Sequence, residues 1–157
     1  MLFFSLWLGR CSHGWFISPN RTKCYGFMSS PKSWNESENQ CNGLGGNLAS
    51  LITYQEFSFA QNMCNGTFGG CWVGGRVFNS SNNFVWKWSD SVSKWNDSII
   101  PSTASQSNCK NVSCRMNDLI ETCTLIVGGP AAPFLRDEKC NSSHPFICMI
   151  NLGMPSS

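Results

Sequence analysis

Trp34-Asn35-Glu36-Ser37-Glu38-Asn39-Gln40-Cys41-Asn42-Gly43-Leu44-Gly45-Gly46-Asn47-Leu48-Ala49-Ser50-Leu51 sets the architecture of this chain. Trp34, Ser37, Cys41 and Leu44 recur at i, i+3, i+7 and i+10, one face of an α-helix. Ser33 and Glu36 have the spacing of a capping box, and Pro31 is expected in the first turn. Gly43, Gly45 and Gly46 stop the helix. Before it, Gly14–Ile17 and Lys23–Met28 flank the Pro/Asn turn Ser18–Thr22 and read as a hairpin. After it, a second box, Thr53 and Glu56, opens a helix with Phe57, Ala60 and Cys64 on one side. Cys71–Val77, Phe84–Trp88, Cys123–Val127 and Pro145–Met149 are rich in β-branched and aromatic residues and read as strands. Asn/Ser/Pro-rich stretches separate them, notably Asn96–Asn111 and Gly128–Pro133. Two helices and an irregular antiparallel half make an α+β fold. Loops of this length carry function or need stapling.

The 157 residues suit one domain with a real core. Seven Trp and eleven Phe argue against disorder. Only 13% of residues are charged, against roughly 25% in an ordinary soluble domain, so other groups must keep the surface wet. Asn-x-Ser/Thr at Asn20, Asn35, Asn65, Asn79, Asn96, Asn111 and Asn141 points to N-linked glycans. A net charge of +2 without a Lys/Arg cluster disfavours nucleic acid as a partner. No run approaches the ~18 apolar residues of a membrane span. Met1–Leu8 is apolar but short, and reads equally as the remnant of a signal peptide or as a first strand.

Ten cysteines could mean zinc or disulfides. There is no Cys-x2-Cys pair, and His13 and His144 stand alone, so zinc spacing is absent. Sequons scattered between the cysteines favour an oxidising compartment and disulfides.

Taken together, Trp34…Cys41…Gly45-Gly46-Asn47-Leu48-Ala49-Ser50-Leu51, Cys71-Trp72-Val73-Gly74-Gly75, Phe84-Val85-Trp86-Lys87-Trp88-Ser89-Asp90 and Phe146-Ile147-Cys148 resemble the C-type lectin-like domain. The resemblance is nearest to the extracellular part of plant C-type lectin receptor-like tyrosine-protein kinases. It implies a C-type lectin-like α+β fold of two helices, irregular antiparallel sheets and a long loop region. Residues 1–10 would be the signal remnant or an N-terminal extension, 11–150 the domain, and 151–157 a C-terminal tail. The resemblance pairs Cys41 with Cys148, Cys123 with Cys140, and Cys11 with Cys24. Proximity then suggests Cys64–Cys71 and Cys109–Cys114 for the remaining four. The kinase motifs Gly-x-Gly-x-x-Gly, His-Arg-Asp and Asp-Phe-Gly are absent from the chain, which is not expected to be an enzyme.

Sugar-binding members of that family hold calcium through carboxylates and amide carbonyls, since the ion takes six to eight oxygen ligands. Their ligand words are Glu-Pro-Asn or Gln-Pro-Asp, a Glu two before the loop cysteine, and Trp-Asn-Asp. The first is missing here, where Pro101 lies in Ile100-Pro101-Ser102. The second survives as Glu121-Thr122-Cys123. The third aligns with Leu135-Arg136-Asp137, so a fixed cation replaces the amide. Glu121 and Asp137 are weak remnants that cannot fill a calcium shell, and no cofactor is expected. Their bland reading is a surface pair, salt-bridged to Arg136 or Lys139. Trp72, Trp86 and Trp88 read as core. Trp95 stands at the entrance to the long loop, and Phe134 is either an exposed contact or packed beneath it.

The candidate ligand residues are therefore Trp95, Glu121, Arg136 and Asp137. The expected function is extracellular recognition of a glycan or a cell-surface protein without calcium. One alternative is calcium-dependent sugar binding with ligands such as Asp90, Asp97 or Asp118. Another is a structural ectodomain that binds nothing.

Overall fold

The computed structural model describes residues 11–67, 69–80, 83–96, 122–128 and 135–153. Their order is β1 (Phe16–Ile17), β2 (Lys23–Lys32), α1 (Trp34–Gly43), β3 (Asn47–Leu48), α2 (Tyr54–Met63), β4 (Cys71–Ser80), β5 (Asn83–Trp88), β6 (Thr122–Ile126), β7 (Leu135–Lys139) and β8 (His144–Asn151).

Helix α1 begins with the full capping box: Ser33 accepts from the Glu36 amide, and the Glu36 side chain accepts in return from the Ser33 amide. Trp34, Ser37 and Cys41 form its buried face. Leu44 does not continue that face. It is the C-cap and lies 47% exposed, because the chain leaves the helix there before its side chain can turn inward. Pro31 also departs from expectation: it falls within β2, whose register with β8 shifts between Met28 and Lys32. Such a break in the ladder tolerates a residue without an N–H.

In α2, Thr53 accepts from the Glu56 amide and so caps the helix, and Phe57, Ala60 and Gln61 are buried. The expected reciprocal bond is replaced. Glu56 instead turns inward and accepts from the Ile52 amide at 2.8 Å and from Lys23.

The strands form one sheet in the order β1-β2-β8-β4-β6-β7, with β3 on β8 and β5 on β4. All ladders are antiparallel except for the β4–β8 contact, where Trp72 faces Phe146 in parallel. The sheet is therefore mixed. Leu135–Lys139, which reads in the sequence as part of a loop word, is a strand (β7) paired along its length with β6. Four charged residues in a row hide that edge from hydrophobic patterning, and suit an edge strand that must resist further pairing. Strand β8 runs to Asn151, opposite Lys23, and the Leu152 amide bonds to the Thr22 carbonyl at 2.9 Å.

Two core clusters lie on opposite sides of this sheet. One gathers Tyr25, Leu51, Phe57, Val73, Trp88, Ile126, Leu135 and Ile147. The other gathers Trp34, Leu48, Trp72, Leu125 and Phe146 around four half-cystines, Cys41, Cys123, Cys140 and Cys148. The indoles in this second cluster are tied to backbone: Trp34 Nε1 donates to Val73 O at 2.9 Å, and Trp72 Nε1 to Lys32 O at 2.8 Å. Disulfides join Cys11–Cys24, Cys41–Cys148, Cys64–Cys71 and Cys123–Cys140. Cys109 and Cys114 lie outside the described residues.

Candidate ligand-binding face

Strand β7 carries Arg136 and Asp137, and strand alternation sends neighbouring side chains to opposite faces. The register makes the assignment. Trp72, Leu125 and Arg136 stand opposite one another across β4, β6 and β7, while Thr124 faces Asp137. Arg136 therefore belongs to the Trp34/Trp72 side. There its Nη2 donates to Gly69 O at 2.8 Å and approaches Glu138 at 3.9 Å. Glu138 also lies 3.6 Å from His144, whose ring meets Trp72 edge-on at 4.9 Å. Burial holds the His144 imidazole below the usual histidine range, against the pull of Glu138 and with help from Arg136.

Asp137 lies on the other side, with Thr124, whose hydroxyl donates to Gly75 O at 3.0 Å. Trp95 packs against the core cluster of this same side. Its indole stacks on Trp86, ring centres 5.3 Å apart, and leans on Trp88 at 4.8 Å. Trp72 and Trp88 are buried, whereas Trp86 is only half-buried, contrary to its expected place in the core. Strand β5 pairs only with β4 among the described strands, which leaves Trp86 partly uncovered despite its stacking on Trp95.

Of the four candidate ligand residues, the fold thus groups Trp95 with Asp137 and separates Arg136 from both. Glu121, together with Phe134, Asp97 and Asp118, lies outside the described residues. Asp90 has a structural occupation. Its carboxylate accepts from the Val92 and Ser93 amides at 3.1 and 2.9 Å and from the Ser93 hydroxyl at 2.5 Å. Burial disfavours its charge, but these donors outweigh that and hold its carboxyl below the usual range. Asp137 thus lies on the Trp95 side of β7 and Arg136 on the other. Among the described residues, no three His, Cys, Asp or Glu side chains gather closely enough to hold a metal.

Two features escaped the sequence reading. Lys23 and Glu56 form a buried ion pair, for which the available signal was a lysine on an inward strand position and a glutamate four residues before buried Ala60. Arg76 lies over the rings of Trp34 (5.2 Å) and Phe78 (5.8 Å) and donates to Asn35 at 3.1 Å. Only the three-dimensional crossing of α1 over β4 brings these together.

The fold is that of a known class of domains. The Lectin C-type domain model matches residues 30–150, and the chain belongs to that family. It is 41% identical over 147 residues to a C-type lectin receptor-like tyrosine-protein kinase of Arabidopsis thaliana, covering 90% of this chain and 26% of that protein. A C-type mannose receptor 2 of Rattus norvegicus is 33% identical over 99 residues, 54% of this chain and 7% of the receptor. The chain thus spans about a quarter or less of the length of these relatives. Among solved structures, the C-type lectin domain of murine dendritic cell inhibitory receptor 2 in complex with N-glycan superposes with TM-score 0.68 at 22% identity, covering 90% of this chain and 99% of that one. A calcium-independent type II antifreeze protein gives 0.66 at 20% identity, with 90% and 95% covered. At such identities these two share the fold and nothing finer.

Proposed function

We propose that this domain is the extracellular recognition module of a receptor, and that it binds a glycan or a protein ligand without calcium. The binding face is the one that carries Trp86, Trp95 and Asp137. The observation behind this reading is the placement of Arg136. The family's amide ligand is replaced by a guanidinium, which turns to the opposite side of β7 and donates to Gly69 O. A stacked pair of half-buried indoles offers a flat apolar platform. The relatives named as receptors, and the disulfides, support an extracellular setting.

The test is a glycan array and a cell-surface binding screen with the secreted domain, run in calcium and again in chelator. Equal binding in both, lost in Trp95→Ala with the fold intact by circular dichroism, is the expected result. Binding present only with calcium transfers the function to the calcium-dependent reading. No binding in either condition favours a structural ectodomain.

A further inference from the structure

A cleft of about 640 Å³ lies where the β1–β2 turn, the segment before α2, the loop after β5 and the end of β8 meet, with Lys94 and Asn96, the neighbours of Trp95, in its lining. Its size falls in the roughly 300–1,000 Å³ range of small-ligand sites. Ile52 and Val92 supply carbon to its walls, and Val92 is 74% exposed, the most exposed large hydrophobic among the described residues. Thr22, Ser93 and Asn151 add hydroxyl and amide groups. A pyranose ring, apolar on its face and polar at its edge, matches such a lining.

Two of the lining residues, Asn20 and Asn96, are the first residues of Asn-x-Ser/Thr. The Asn20 amide organises its own turn: its oxygen accepts from the Ser18 hydroxyl, the Thr22 amide and the Thr22 hydroxyl, and its nitrogen donates to Glu56 at 3.3 Å. Asn96 is exposed and enters the cleft from the loop after β5.

We propose that the occupant of this cleft is the chain's own N-linked glycan at Asn96. Its first two N-acetylglucosamine rings lie along Val92 and Ile52, with their acetamido and hydroxyl groups toward Ser93 and Asn151. This rests on passage through the secretory pathway. There, transfer joins Asn96 Nδ2 to C1 of the first sugar; the amide gives up one proton, and the lipid diphosphate that carried the oligosaccharide leaves. The attached sugar covers the exposed valine and braces the loop after β5 against the end of β8.

The test uses protein secreted from a glycosylating eukaryotic host. Glycopeptide mass spectrometry reads occupancy at Asn96, and amide hydrogen exchange is compared with that of Ser98→Ala, which removes this sequon and keeps Asn96. Exchange at residues 92–94 and 151–152 is expected to accelerate about tenfold in Ser98→Ala. Val92→Ser, with its glycan still attached, should show a similar acceleration. Ser143→Ala, which removes the Asn141 sequon, should leave the cleft unchanged. If Ser98→Ala is not secreted, enzymatic deglycosylation of the folded wild-type protein supplies the comparison. An unoccupied Asn96, identical exchange with and without its glycan, or an equal acceleration in Ser143→Ala overturns the proposal.

Discussion

Lys23 and Glu56 meet at 3.2 Å with side chains only 5% and 0% exposed, joining the first long strand to the second helix. The ammonium also donates to the Ser50 carbonyl and hydroxyl, each at 3.1 Å. The carboxylate in turn accepts from Ile52 and Asn20. Every charge in the pair is therefore hydrogen-bonded as well as neutralised, the condition under which a buried ion pair can be tolerated. Removing one partner strands the other. Lys23→Met is expected to cost about 3–5 kcal/mol, and Lys23→Met with Glu56→Leu distinctly less than either single change. Urea denaturation of the single and double variants measures both.

Asp90 makes the stability depend on acid. Its folded carboxyl lies below the ordinary value because the Ser93 and Val92 donors overcome the effect of burial. The native state then binds fewer protons than the unfolded chain, so stability rises with pH in this region. The contribution is complete above the unfolded pKa of about 3.9 and disappears as pH falls through the lower folded value. Asp90→Asn should flatten the acid limb of a plot of Tm against pH while leaving the neutral plateau, less the lost charge-assisted bonds. An unchanged acid limb would count against this role.

The disulfide between Cys41 and Cys148 spans 107 positions and that between Cys11 and Cys24 spans 13. Closing the longer loop restricts the unfolded chain more. Replacing Cys41 and Cys148 by alanine should cost about 4–5 kcal/mol, against about 3 for the short pair. Secretion yield and denaturant midpoints compare the two, and equal losses would contradict the chain-entropy account.

Gly70 has φ +101°, and a Cβ there would lie 2.7 Å from the Ile126 carbonyl oxygen. Backbone strain and a clash with another main chain act together. Gly70→Ala is expected to destabilise by about 2–3 kcal/mol, read by thermal melting. The neighbouring Cys64–Cys71 bridge limits how far the segment can move aside.

Arg136→Asn restores the residue type of the family's sugar-binding word on a strand without the rest of that word's ligands among the described residues. On β7 an asparagine at 136 still faces the Gly69 side, across the strand from Asp137. The variant should lose about 0.5–1.5 kcal/mol with the Gly69 contact and gain no calcium-dependent rise in Tm. A rise of several degrees with calcium, abolished by chelator, would refute the assignment of faces.

Much of this fold is legible locally. The α1 cap at Ser33, the buried Trp34-Ser37-Cys41 stripe and the Phe57-Ala60 face follow from periodicity and capping chemistry, which act within a few residues. The misreadings share a cause. Pro31, Leu44 and Glu56 each obey a local helix rule, but non-local structure claims them: the β2–β8 ladder, the exit from α1, and the buried ammonium of Lys23. Strand β7 was invisible because an edge strand can be charged throughout and still satisfy its backbone on β6.

The sequence by itself pointed to the family, the two helices and the pairing of the eight described cysteines, the helices through residue type and spacing and the pairings through the family resemblance and proximity. Tertiary structure alone decided which side of the sheet each residue of Leu135-Arg136-Asp137 takes. Arg136 and Asp137 are adjacent in the chain, yet the pleat of β7 sends one to Gly69 and the other to the side of Trp95. A binding face is a property of sheet register and of strands brought together from distant parts of the chain, and no local pattern carries that information.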